Sequence, residues 1–199
     1  MAADDYVYPG TQVLRNKFGI LDEAQLEQVE RRVTSARIRQ PLPQISMTPE
    51  GYRAIHQHIF QDVYPWAGHY RTCEIRKSAW FDTPTDIDNN MARQFAALNA
   101  EDNLRGLSPH AFARRAAELL CQLNNIHPFR DGNGRTNRAF AQELARQAGL
   151  RLRLRAISEK QWLDASLDGF HNRQFERMAV VLSQAIAGRV RQRERDRDC

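Results

Sequence analysis

The segment His127-Pro128-Phe129-Arg130-Asp131-Gly132-Asn133-Gly134-Arg135-Thr136-Asn137-Arg138 lies between two stretches whose apolar residues recur at helical spacing. Gly132 and Gly134 permit positive φ and close backbone approach, and they precede a helix start, where unpaired N–H groups and the helix dipole attract anions. Arg135 and Arg138, three apart on the new helix, share a face and can address neighbouring phosphates with forked donors. Asp131 offers a hard oxygen beside them, the setting in which Mg²⁺ is held by one or two carboxylates plus a nucleotide. Asn133 can donate an amide hydrogen bond to a phosphoryl oxygen. His127, at a helix end ahead of the loop, is of the residue type that can accept a proton from an attacking hydroxyl near neutral pH. Phe129, between polar neighbours, is expected to point inward and pin the loop to the core. Singly, each residue has a plainer reading as helix cap, turn or solvated charge; together in one loop they are the base, metal ligand, anion cradle and charge clamps of a phosphoryl-type transfer site.

Outward from this loop, helical periodicity dominates. Upstream, Ser108-Pro109 opens a helix whose buried stripe is Phe112, Ala116, Leu119, Leu120, Leu123 and Ile126. Downstream, a helix begins near Arg135 and ends at Gly149, a candidate left-handed C-cap. Asp22 with Gln25 starts a helix over about 22–39, and Thr48-Pro49 starts another that runs to about Phe60 with Tyr52, Ile55 and Ile59 on one face. Ile87, Met91, Phe95 and Leu98 predict a helix over about 86–101. Ser158 with Gln161 starts one around Trp162, and Phe175, Met178, Leu182 and Ile186 mark the last. Trp66-Ala67-Gly68 reads as a turn and Tyr70–Ile75 as a short strand, the one candidate hairpin. With no internal repeat and no long linker, the pattern predicts one mostly α domain with a small β flap.

Composition bounds the rest. A chain of 199 residues, 42% hydrophobic and 27% charged, is long enough to bury a core without disulfide or metal staples. Cys73, Cys121 and Cys199 are odd in number and form no CxxC pair, which fits a reducing compartment. The acidic start Met1-Ala2-Ala3-Asp4-Asp5 is unlike a signal peptide and no 18-residue apolar run occurs, so a cytoplasmic protein without a membrane span is expected. The net charge of +5 invites a nucleic-acid partner, but its distribution argues against direct nucleic-acid binding. The tail Gly188–Cys199, five Arg against three acids with alternating signs, reads as a solvated, frayed helix end.

HPFRDGNGRTNR matches in full the HxFx(D/E)GNGRxxR signature of Fic-domain proteins. Tyr8–Ile20 and Ile55–Gly68 also resemble the upstream segments of compact bacterial members, so the resemblance spans almost the whole chain. It implies a single Fic-fold helical domain over 1–199 with a short β-hairpin flap: a Fic core over about 45–190, an N-terminal helical extension over about 1–44 and a charged C-terminal tail over about 188–199. The activity it implies is protein adenylylation, the transfer of AMP from ATP, with Mg²⁺, to a Tyr, Thr or Ser hydroxyl of a target protein. By the same resemblance His127 would be the general base and Asp131 the Mg²⁺ ligand. Gly132, Asn133 and Gly134 would form the anion hole, and Arg135 and Arg138 would contact the β- and γ-phosphates. Related Doc kinases carry Lys at the position of Gly134 and move phosphate instead, so Gly134 favours AMP.

Glu74–Thr83 resembles the family's target-binding flap, with Lys77, Ser78 and Trp80 lining it and Phe81 clamping the target; the plainer reading is that Trp80 and Phe81 close the core. Many relatives are silenced by a helix carrying (S/T)xxxE(G/N). Ser46-Met-Thr-Pro-Glu50-Gly51 fits that string, but Thr48-Pro49 already explains it as a helix start. The resemblance therefore implies a toxin of a toxin–antitoxin pair, inhibited by a separate small antitoxin whose Glu reaches Arg138. A subunit of DNA gyrase or topoisomerase IV is the first target it implies. The alternatives are a related transferase moving phosphate, phosphocholine or another nucleotide, and a non-enzymatic nucleic-acid binder.

Overall fold

The computed structural model describes residues 5–75 and 81–189. Helix starts follow polar side chains that close a first turn. Asp22 accepts the Gln25 N–H at 2.7 Å ahead of α1 (Glu23–Ile38). Thr48 accepts the Gly51 N–H at 3.2 Å ahead of α2 (Pro49–Phe60), where Pro49 supplies a pre-set φ. A 3-10 turn at Pro84–Asp86 leads into α3 (Ile87–Ala100). Ser108 caps α4 (Pro109–Ile126), and α5 (Asn133–Gln147) opens from Gly132. Ser158 and Gln161 exchange hydrogen bonds in a reciprocal box at the start of α6 (Glu159–His171), and α7 (Glu176–Ala185) ends the helical part.

α4 is the centre of the core. Its apolar stripe, together with Ala113 and Ala117, is buried, and it packs against α3, α5, α6 and α7. Beside it, Tyr52 of α2 stacks on Phe129 at 5.8 Å and meets Phe140 of α5 edge-on at 5.2 Å, with Phe95 of α3 against Phe140. Phe129, fully buried, roots the loop between α4 and α5 in this aromatic cluster. Truncating such a ring costs about 3–5 kcal/mol, so the loop's position is tied to the stability of the core.

The structure departs from the sequence reading in four places. Residues 70–75 form no strand; the Arg71 N–H bonds the Pro128 carbonyl at 2.8 Å and the Arg71 side chain takes the Cys73 carbonyl at 2.9 Å, so these two backbone groups are engaged outside any strand pairing. The antiparallel sheet lies elsewhere, between β1 (Leu150–Leu152) and β2 (Ile186–Arg189), with Leu152 opposite Ile186. Ile186 therefore begins a strand instead of extending the last helix: its ψ of 114° is extended, and β1, with Leu150 and Leu152 both buried, offers the pairing edge. Gly188 and Arg189 accordingly belong to β2, not to a frayed helix end, while the rest of the tail (190–199) lies outside the described residues. The fourth departure is that α5 starts at Asn133, two residues before Arg135. Of the flap, Lys77, Ser78 and Trp80 lie outside the described residues.

Candidate active site

α4 ends on His127 in the left-handed region (φ 50°, ψ 60°), where glycine is usual and another residue is strained by about 1–2 kcal/mol. Its N–H still bonds the Leu123 carbonyl at 3.1 Å, so the last turn of the helix is complete. Nδ1 is 3.1 Å from the Asn124 carbonyl, which can only accept; Nδ1 thus carries a proton and the lone pair of the neutral ring is on Nε2. The Phe81 ring lies flat on the imidazole at 3.9 Å and 16°. His127 is only 7% exposed, yet it lines the main cleft with Phe81, Asp131, Gly132, Asn133, Gly134, Arg135 and Arg138.

The loop is closed by its own side chains. Asn133 Oδ1 accepts the Phe129 N–H at 2.9 Å and its Nδ2 donates to the Phe129 carbonyl at 2.8 Å. The side chain that the sequence reading gave to a phosphoryl oxygen is therefore buried in the loop, and what Asn133 offers an anion is its backbone N–H. Gly132 has φ +81°, and a Cβ there would stand 2.3 Å from Phe60 Cζ. Gly134, by contrast, is helical, without the positive φ that the sequence permitted, and faces open space. The first-turn N–H groups of Asn133, Gly134 and Arg135 have no acceptor within α5, and the helix dipole adds positive potential there.

The two arginines are held differently. Arg135 bonds Glu30 of α1 and, at 3.1 Å, Asp131, with its guanidinium 4.6 Å from the centre of the Phe60 ring. Arg138 donates from Nη2 to the carbonyls of Leu154 and Ile157 at 3.1 and 3.2 Å and lies over Trp162. Its Nη1 is buried without a hydrogen-bond partner among the described residues, and burial lowers the pKa of the group. A buried donor left open beside a helix N-terminus fits an anionic oxygen. Among the described residues no group of three or more His, Cys, Asp or Glu is arranged to hold a metal. Asp131 brings one carboxylate to the start of α5, a donor that fits Mg²⁺ arriving with a polyphosphate.

Three residues that the sequence reading left unassigned support these parts. Glu30, on the inward side of α1, accepts from Arg135 and from the Tyr64 hydroxyl. His56 of α2 accepts the Gly68 N–H at Nδ1 (2.9 Å), so its Nε2 carries the proton and donates to the Asp131 carbonyl (3.1 Å). Its ring lies between Phe129 and Phe60, and burial pushes its pKa down to about 3, so it stays neutral. Arg71 is fully buried behind His127. The residues read from the sequence as phosphate, metal and proton-accepting groups thus line one cleft of about 2470 Å³, much larger than a bound nucleotide needs. Glu50, of the inhibitor-like string, is on the exposed side of α2 and does not line it. No helix among the described residues is long and apolar enough to cross a membrane.

The model of the Fic/DOC family matches residues 46–145. The chain is 43% identical over 169 residues to a probable protein adenylyltransferase, y4lH, of Sinorhizobium fredii, covering 84% of this chain and 88% of that protein. It is 35% identical over 173 residues to the protein adenylyltransferase VbhT of Bartonella schoenbuchensis, covering 84% of this chain but 36% of that longer protein. Its fold is similar to the crystal structure of BepC, a VirB-translocated effector of Bartonella tribocorum with bound AMPPNP. The TM-score is 0.84 at 26% identity, over 94% of this chain and 98% of that one.

Proposed function

This chain belongs to the Fic/DOC family, and on that basis we propose that it is a protein adenylyltransferase, moving AMP from ATP to a hydroxyl side chain of a target protein. The observation that carries the reading is the position of His127 at the rim of the same cleft into which α5 directs its N-terminus, Arg135 and Arg138. His127 Nε2 takes the proton of the target hydroxyl; the freed oxygen attacks the α-phosphorus, the bond to the β-phosphate bridging oxygen breaks, and pyrophosphate leaves. The backbone N–H groups at the start of α5 and the two guanidinium groups balance the phosphate charge, Arg138 through its open Nη1. Asp131 would hold Mg²⁺ against the phosphates, where the ion supplies further charge neutralisation.

The same reading takes the chain as one Fic domain in which the N-terminal extension contributes Glu30 to the cleft wall. Regulation by a small antitoxin fits it too. Glu30 is engaged with Arg135, Glu50 faces away, and the open donor is on Arg138, where a partner's Glu would compete with the nucleotide. A toxin acting in the cytoplasm on a topoisomerase subunit is the corresponding expectation for the target. Mass spectrometry of a bacterial lysate incubated with ATP, Mg²⁺ and the protein tests the activity: peptides carrying AMP on Tyr, Thr or Ser are expected with the wild type and not with His127→Ala. Equal labelling by both would remove His127 from the mechanism.

A further inference from the structure

Arg71 is among the largest side chains that the fold buries completely. Its guanidinium donates to four main-chain carbonyls: Nε to His127 at 2.8 Å, Nη1 to Cys73 at 2.9 Å, and Nη2 to Ile126 at 3.3 Å and to Asp82. Two of these, Ile126 and His127, are the last carbonyls of α4, where the negative end of the helix dipole offsets a buried positive charge. The other two are those of Cys73 and Asp82. Asp82 directly follows Phe81, whose ring is stacked on the His127 imidazole. One rigid, planar group therefore holds the backbone of His127 and of the residue that follows Phe81, and the Arg71 main-chain N–H adds the Pro128 carbonyl.

Such a contact does more than close a helix. His127 is in the left-handed region, a conformation that persists only where its surroundings enforce it. Its ring is fixed at one edge by the Asn124 carbonyl and across one face by Phe81. Movement of the Asp82 backbone would withdraw Phe81 and uncover that face of the ring. Lysine, a point donor, cannot span carbonyls of α4 and of residues 73 and 82 together.

We propose that Arg71 is a positioning residue: by clasping the backbones of His127 and Asp82 it keeps Phe81 on the imidazole and fixes where Nε2 meets the target hydroxyl. The inference rests on the reading of His127 as the base. The nucleotide-binding groups of α5 are not among the groups that Arg71 bonds, so its loss should fall on the chemical step and spare ATP binding.

The test compares Arg71→Lys, Arg71→Gln, Phe81→Leu and the double variants for AMP transfer, for ATP affinity, and for the NMR signals of the His127 ring protons, which the Phe81 ring current shifts upfield. The expected results are unchanged ATP affinity, a fall in kcat of about 100-fold, and loss of the upfield shift to the extent seen in Phe81→Leu. Adding the Arg71 substitution to Phe81→Leu should then cost little more, since both act through one contact. Multiplicative losses in the double variant, unmoved His127 signals, or equal losses of ATP affinity and kcat would overturn the proposal. Failure of both Arg71 variants to fold would do so too, by assigning the residue to folding alone. His127→Ala in the same assay separates the premises: activity there would refute the base, while the NMR comparison decides the clasp independently.

Discussion

At Gly132 two constraints coincide, a φ of +81° and a Phe60 ring where a Cβ would stand, whereas Gly134 is helical and borders open space. Alanine at the two positions should therefore act in opposite directions. Gly132→Ala is expected to lower the melting temperature and abolish ATP binding, because the loop must move off Phe60. Gly134→Ala should keep or raise stability, by up to about 1 kcal/mol for replacing a helical glycine, yet weaken ATP binding as its methyl enters the phosphate cradle. Thermal unfolding beside ATP titration checks both, and a Gly132→Ala protein as stable as the wild type would contradict the geometry. Both glycines were legible in the sequence as residues at a helix start, but not the difference between them, which depends on Phe60, 72 positions away. Asn133 was legible as a loop residue too. Its partner was not, since nothing in the spacing says that the amide closes on the Phe129 backbone.

Elements that carry their own caps were readable: Asp22, Thr48, Ser108 and Ser158 stand where helices start, because the signal and the structure share a few adjacent residues. Elements defined by distant partners were not. Residues 70–75 have a strand-like pattern but spend their hydrogen bonds on Arg71 and the loop, and β2 exists because β1 lies beside it. The contact of α1 with the site is of the second kind, as Glu30 and Arg135 are 105 positions apart. Glu30 is nearly buried and neutralises the Arg135 guanidinium in the first turn of α5. Glu30→Gln should cost about 1–3 kcal/mol of stability, the price of a broken charged hydrogen bond in a partly buried setting, and should tighten ATP binding by raising the positive potential of the cleft. Chemical denaturation and ATP titration measure the two effects; weaker ATP binding would mean that Glu30 serves chiefly to orient Arg135.

The molecule joins these elements through a buried polar spine: Gly68, His56 and Asp131 in sequence, flanked by Phe60 and Phe129. Because His56 is neutral in the fold, with its pKa near 3, while an unfolded histidine titrates near 6.5, the unfolded state binds the extra proton between those values. Its contribution to stability is thus intact above about pH 6.5 and is lost as pH falls toward 3, with a slope approaching 1.4 kcal/mol per pH unit. Denaturation curves from pH 7 to 4 should show this slope in the wild type and not in His56→Asn; parallel curves would contradict it. ATP labelled separately at the α- and γ-phosphates shows which group is transferred, with a bacterial lysate as the source of target and His127→Ala beside the wild type. Transfer of the α label alone, absent in the variant, is the predicted result. Transfer of the γ label would show phosphate moving instead of AMP and would rule out adenylyl transfer.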